Sequence, residues 1–281
     1  MGKIIVALAL MIASFTIEAQ VKIPQASPKS VVSQTVGLTD VEIDYHRPSA
    51  KNRVVFGDLV PFGKVWRTGA NENTTISFSE DVVINGATLK KGKYALYTTP
   101  KADSWDVIFY SDTNNWGNPE EWNESKVALK VNANTEPLNR NVETFTIGIN
   151  NVDNNFAHLE FSWEKTLVAV KFEVPTQKAA LASIDKTLAG PSAADYFSSA
   201  QYYFQSNGDL NKALTYITKA YDMHEKKPYW YSRLKSQIQA KLGDKKGAIE
   251  TAKISLISAQ AAKNDDYVKM NQDSIAEWSK K

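Results

Sequence analysis

Residues 76–110 read ISFSEDVVINGATLKKGKYALYTTPKADSWDVIFY, and their rhythm decides the fold of the first half of the chain. Ile76 and Phe78 flank one polar residue. Val82-Val83-Ile84 runs into Asn85-Gly86, a pair that accepts the positive φ angles of a two-residue hairpin turn, so a partner strand is expected after Ala87. Tyr94, Leu96 and Thr98 then alternate with Ala95 and Tyr97, and Trp105, Val107 and Phe109 alternate around Asp106. A period of two sends successive side chains to opposite faces of a sheet.

The same rhythm extends outward. Upstream, Val41, Ile43 and Tyr45 alternate with Glu42 and Asp44. Downstream come Val127, Leu129 and Val131, then Phe145, Ile147 and Ile149, then Phe156 to Trp163 and Leu167 to Val174. Asn150-Asn151 and Asn154-Asn155 bracket a turn. About ten short antiparallel strands with turn signals between them read as a β-sandwich or jelly roll. Residues 20–175 form this domain, with Pro24 and Pro28 in an extended lead-in arm.

After Pro175 the period changes. Thr176 is placed to cap a helix through Ala180, Leu181, Ile184 and Leu188, which Gly190-Pro191 ends. Residues 176–192 thus form a linker helix. Beyond it the chain repeats itself: Asn207-Gly208-Asp209-Leu210-Asn211-Lys212-Ala213-Leu214 aligns with Leu242-Gly243-Asp244-Lys245-Lys246-Gly247-Ala248-Ile249, at an offset of 35 residues. In each copy an aromatic-rich helix precedes the turn. Gly is expected to close that helix in the left-handed conformation, Asp to cap the next, and Ala to let the two approach. A last helix with Tyr267, Met270, Ile275 and Trp278 is expected to cover the end of the stack. Residues 193–281 resemble tetratricopeptide repeats, whose unit is about 34 residues. The fold class expected is α+β in two domains, sheet first and helical repeats second.

The stretch Tyr45–Thr75, YHRPSAKNRVVFGDLVPFGKVWRTGANENTT, interrupts the β pattern and concentrates unusual residues. Arg47, Arg53 and Arg67 are three of only five arginines among 33 basic residues. Arginine is favoured over lysine where a planar fork must meet a carboxylate or phosphate, or stack on a ring. His46, Lys64, Trp66, Asn71 and Glu72 complete the candidate ligand site, and five Gly and Pro residues make much of the stretch loop. The competing expectation is that Asp44, Asp58 or Glu72 pairs with the arginines to pin the loop. A second polar loop, Ser111–Ser125, carries Trp116 and Trp122 as secondary candidates. Exposed, they would suit a sugar ring or a protein partner; folded back, they would plug the end of the sheet domain.

The order Arg47-Pro48-Ser49, Lys51, Arg53, Phe56-Gly57 and Leu59 through Glu72, with Val83-Ile84-Asn85-Gly86, Gly92-Lys93-Tyr94 and Trp105-Asp106-Val107-Ile108 downstream, resembles the domain of unknown function 2911, a family of Bacteroidetes-type bacteria. The resemblance covers about residues 25–172 and implies no activity.

Composition closes several doors. Cysteine is absent, which removes disulfides, thiolate metal sites and cysteine nucleophiles. Residues 20–175 hold 16 basic and 19 acidic groups and residues 176–281 hold 16 and 11, for −3 and +5. Neither balance argues for nucleic acid. No nucleophile elbow, phosphate loop or histidine pair with metal-ligand spacing occurs, so neither metal nor cofactor is expected. The Asn and Asp run at 150–155 lacks the spacing of a calcium loop. Lys3, the apolar run Ile4–Ile17 and Ile17-Glu18-Ala19 read as a signal peptide, residues 1–19, cleaved before Gln20. No other segment reaches membrane-spanning length, and without a cysteine there is no lipid anchor. The expectation is an exported protein, periplasmic or extracellular, that binds rather than catalyses. Its ligand would be anionic or a sugar at the arginine loop, and its partner a protein or peptide at the helical repeats. The alternative is a carbohydrate-binding or carbohydrate-processing sheet domain using Arg67, Glu72 and the loop tryptophans.

Overall fold

The computed structural model describes residues 23–188 and 190–280. The expected signal segment lies outside them. The first part is an antiparallel sheet of nine strands: β1 (Lys29–Val36), β2 (Thr39–His46), β3 (Thr75–Phe78), β4 (Val82–Ile84), β5 (Ala87–Leu89), β6 (Gly92–Pro100), β7 (Ser104–Tyr110), β8 (Val127–Asn150) and β9 (Phe156–Glu173). Their order across the sheet is β1-β2-β3-β6-β7-β8-β9-β4-β5. The hairpin expected at Asn85-Gly86 is present, with φ of 49° and 79° at the two turn residues.

The strand count differs from the sequence reading for two reasons: the alternation does not pick out β1, and two pairs of expected strands are each a single strand. The segments around Val127–Val131 and Phe145–Ile149 are one strand of 24 residues, and Phe156–Trp163 and Leu167–Val174 are one of 18. The first part of β8 pairs with β7, and the rest, from Thr135 on, pairs with β9 across register shifts between Pro137 and Thr146. Such irregularities bend a strand, and β8 runs unbroken from one partner to the other. The far side is stitched by the segment after β2. Ser49 bridges Thr144, the Phe145 N–H donates to the Pro48 carbonyl at 2.8 Å, and the Ala50 N–H donates to the Glu143 carbonyl at 2.8 Å.

The enclosed core is built from the inward sets the alternation identified: Ile43 and Tyr45, Trp105 and Phe109, Phe145 and Ile147, Phe161 and Trp163. Tyr45 also ties β2 to β8, for its hydroxyl donates to the Ile147 carbonyl at 3.2 Å and accepts from the Ile147 N–H at 3.0 Å. β6 and β7 are buried on both faces. Ala95, Tyr97, Ile108 and Tyr110 form a second cluster on the outer side, covered by Val65, Trp122 and Val127.

Six helices follow among the described residues: α1 (Thr176–Thr187), α2 (Ala193–Gln205), α3 (Leu210–Met223), α4 (Tyr229–Lys241), α5 (Lys245–Ala261) and α6 (Asp265–Trp278). Neighbours in sequence pack as pairs, α2 with α3 and α4 with α5, and α6 packs on α5. Asp209 caps α3 through the Asn211 and Lys212 N–H groups, and Asp244 caps α5 through the Gly247 N–H. Ala213 and Ala248 are fully buried.

Three local expectations are corrected. Thr176 does not cap α1; its hydroxyl donates to the Asn154 carbonyl and α1 has no side-chain cap. The left-handed residue of the first turn is Asn207 (φ 52°) rather than Gly208, whereas Gly243 takes that role in the second. Both satisfy the helix end in the same way, since Asn tolerates the left-handed region better than most residues. The inward face of α6 is polar, led by Asn271 and Ser274, while Met270 is exposed. No described helix is long and apolar enough to cross a membrane.

Candidate functional site

Hydrogen bonds to β6, β8 and β9 hold the loop from Arg47 to Thr74 against the sheet. Trp66 exchanges two backbone bonds with Thr98 of β6, at 2.7 and 3.0 Å. The Thr68 hydroxyl bonds the Thr98 hydroxyl at 3.1 Å, and the Thr74 hydroxyl donates to the Thr68 carbonyl at 2.7 Å. Trp66 plugs the aromatic core. It stacks on Trp163 at 5.8 Å between centroids and meets Phe56, Trp105 and Phe145 edge-on. Its indole N–H donates to the Gly69 carbonyl at 3.2 Å.

The candidate residues separate into three groups. Arg47 is a strap. Its guanidinium donates to the Phe145 carbonyl at 3.0 Å and the Thr146 hydroxyl at 2.6 Å, joining the end of β2 to β8. Lys64 is exposed and lines neither of the two clefts described next.

The second group faces an open cleft of about 690 Å³. Lys51, Arg53, Arg67 and Asn71 line it, over a floor that includes Trp66 and Trp163. No carboxylate lines this cleft. The expected arginine–carboxylate pairs are not formed among the described residues. Asp44 pairs instead with Lys29 at 2.7 Å, and Glu72 lies nearest His46. Arg53 donates to the Ala50 and Ser49 carbonyls, and Arg67 donates to the Asn71 carbonyl at 3.0 Å. Backbone carbonyls orient both side chains without neutralising them, so the cleft keeps its positive charge. That combination suits a carboxylate, sulfate or phosphate.

The third group faces an adjoining polar cleft of about 590 Å³, lined by His46, Glu72, Asn73, Asn114 and Asn115 among others. His46 is buried at the end of β2, and its Nδ1 lies 3.4 Å from a Glu72 carboxylate oxygen. Asn73 is a site residue that sequence reading missed. It accepts from the Asn115 N–H at 3.1 Å, is buried, and its side-chain nitrogen has no hydrogen-bond partner among the described residues. Its signal was present only as a third polar residue beside Asn71 and Glu72.

The two loop tryptophans part company. Trp122 folds back on Tyr110 and Tyr97, with centroids 4.8 and 5.5 Å away, and its indole N–H donates to Glu124. Trp116 is 73 % exposed and lines both clefts. The backbone beside it is pinned from below. The Tyr97 hydroxyl donates to the Gly117 carbonyl at 3.1 Å, and burial pushes that phenol up to about 12, so it stays a donor at neutral pH. Gly117 has a φ of 92°, and a Cβ there would lie 2.9 Å from an Arg67 nitrogen. Only glycine permits that close approach of the tryptophan loop to the arginine.

Comparison with family models matches residues 27–172 to one described as a protein of unknown function (DUF2911). Comparison with curated proteins and with solved structures finds no match. The matched residues run from just before β1 to within β9 and include the lining of both clefts except Gln25 and Ala26; helices α1–α6 lie outside them.

Proposed function

The chain belongs to the DUF2911 family, and from that premise and the geometry of its loops we propose that it is a non-catalytic binding protein whose sheet domain takes an anionic ligand in the Lys51–Arg53–Arg67 cleft. One observation carries the reading: three cations share a cleft with no carboxylate, and two of them are oriented by backbone carbonyls.

The remaining parts fit an exported binder. The segment Lys3–Ala19 would direct export and leave a mature chain beginning near Gln20. The helical part is read as tetratricopeptide-like on two supports, the 35-residue offset of its Gly-Asp turns and the packing of α2 with α3 and α4 with α5. Helical repeats of that kind build surfaces for polypeptides, so this tail would engage a protein or peptide partner. In a second form of the reading the ligand is a carbohydrate held by Arg67, Glu72 and a loop tryptophan; the exposed indole of Trp116 favours it.

The test is thermal melting of the mature protein with sulfate, phosphate, citrate and glucuronate, wild type against Arg67→Ala. At a hundred times its Kd a ligand adds about 2.7 kcal/mol, which raises the Tm by roughly 5–10 °C for a protein of this size. A shift seen only in the wild type, with the variant folded, supports the proposal. Equal shifts in both, or none in either, overturn it.

A further inference from the structure

The polar cleft beside the arginine cleft carries the Lys29–Asp44 ion pair, Lys93 and Glu72, and is otherwise lined mostly by amides and hydroxyls. His46 and Asn73 are each only 7 % exposed, and both line it. Buried polar groups normally find partners, because leaving one unmatched gives up a hydrogen bond that water would have made. The Asn73 carbonyl oxygen has such a partner in the Asn115 N–H, while the Asn73 NH2 has none among the described residues. The same cleft is lined by groups that both donate and accept, the side chains of Thr75, Thr113, Asn114 and Asn115, and by the His46–Glu72 pair, Lys93 and the Lys29–Asp44 ion pair.

The two clefts are neighbours by covalent geometry. Gln25 lines the polar cleft while Ala26 and Ser27 line the cationic one. Glu72 lines the polar cleft and the preceding Asn71 the cationic one. Consecutive residues sit about 3.8 Å apart at Cα, so the two clefts open side by side across two chain segments. Trp116 stands on the rim of both.

The geometry points to an acidic oligosaccharide as the ligand. One carboxylate- or sulfate-bearing ring occupies the Lys51–Arg53–Arg67 cleft, the next ring places its hydroxyls against Asn73, His46 and Glu72, and the Trp116 indole packs on a ring face. This rests on the anion-binding reading above and adds the ligand class and a second subsite. A free inorganic anion would leave the Asn73 amide and the Trp116 indole unused. An array of amides and hydroxyls around an aromatic face matches the alternating donors, acceptors and CH faces of a sugar.

The test titrates the full-length mature protein with galacturonic acid, trigalacturonate, maltotriose and triglutamate by calorimetry. Glu72 and Trp116 are both exposed, so Glu72→Ala and Trp116→Ala are expected to fold. One or two added hydrogen bonds predict that trigalacturonate binds about tenfold more tightly than galacturonic acid. Glu72→Ala should remove most of that gain. Trp116→Ala should weaken the trisaccharide, and maltotriose should bind far more weakly than trigalacturonate. Equal affinity for one ring and three overturns the second subsite and leaves the anion site standing. Triglutamate matching or exceeding trigalacturonate overturns the sugar assignment in favour of an acidic peptide. Failure of every anion to bind overturns the anion site together with this inference.

Discussion

Tyr45→Phe is the sharpest probe of how the sheet domain is closed. The substitution keeps the ring, including its edge-on contact with Phe145 at 6.1 Å, and removes one oxygen atom. That oxygen makes two hydrogen bonds to the backbone of Ile147, one as donor and one as acceptor, and both lie in the core. Without it the Ile147 N–H and carbonyl lose their bonds to Tyr45 in a place closed to water. A net bond is worth about 0.5–1.5 kcal/mol, and a buried group left unmatched costs about 1–3 kcal/mol. The expected loss is therefore about 2–4 kcal/mol, or roughly 5–15 °C in Tm at this size. Urea denaturation followed by tryptophan emission reads it directly, since Trp105 and Trp163 are in the same core. The helical signal at 222 nm should be monitored in parallel to keep the two parts separate. Tyr94→Phe is the control, because that hydroxyl makes a single bond to the Lys90 carbonyl near the surface. A Tyr45→Phe protein within ~0.5 kcal/mol of wild type, or no worse than the control, would refute the claim that Tyr45 ties β2 to β8.

Two further predictions concern charge. Arg47→Ala should destabilise by about 2–3 kcal/mol through loss of its bonds to Phe145 and Thr146, whereas Arg67→Ala, with one bond to a carbonyl, should cost about 1 kcal/mol and abolish anion binding; melting curves showing the opposite order would break the division between strap and site. Burial alone would raise the Asp106 carboxyl, but hydrogen bonds from Asn132 and Lys101 and the charge of Lys130 hold it below its ordinary value. A depressed folded value means the stabilisation is full above the unfolded value and is lost as pH falls through the folded one. Asp106→Asn should thus be less stable than wild type at pH 7, with the gap closing below about pH 4; a gap that does not change with pH would be inconsistent with this.

Period and turn chemistry are local, and most of both was legible in the sequence, the cap at Thr176 and the left-handed residue beside Gly208 being the exceptions. Val41, Ile43 and Tyr45 point inward as their alternation requires. Asn85-Gly86 makes its hairpin, and Asp209 and Asp244 cap the helices they precede. The Tyr45–Thr75 stretch was legible as a loop rich in functional side chains because its Gly, Pro and Arg content breaks the pattern on both sides. Which of those side chains face a common space was not legible, because that depends on contacts between residues far apart in the chain. Arg47 meets Thr146 across 99 positions and becomes a strap, while Arg67, twenty residues further on, turns toward a cleft walled by Trp116. Trp116 and Trp122 have the same polar surroundings in sequence. Only the path of their loop, pinned by Tyr97 to the outer face of β6, half-buries one and exposes the other. The sequence by itself indicated most of the strands and helices along the chain and the residues that are candidates for binding. The tertiary structure alone decided the closure through β8, the absence of counter-charges around Arg53 and Arg67, and the unmatched amide of Asn73, since each is a fact about distance in space between groups that sequence separates.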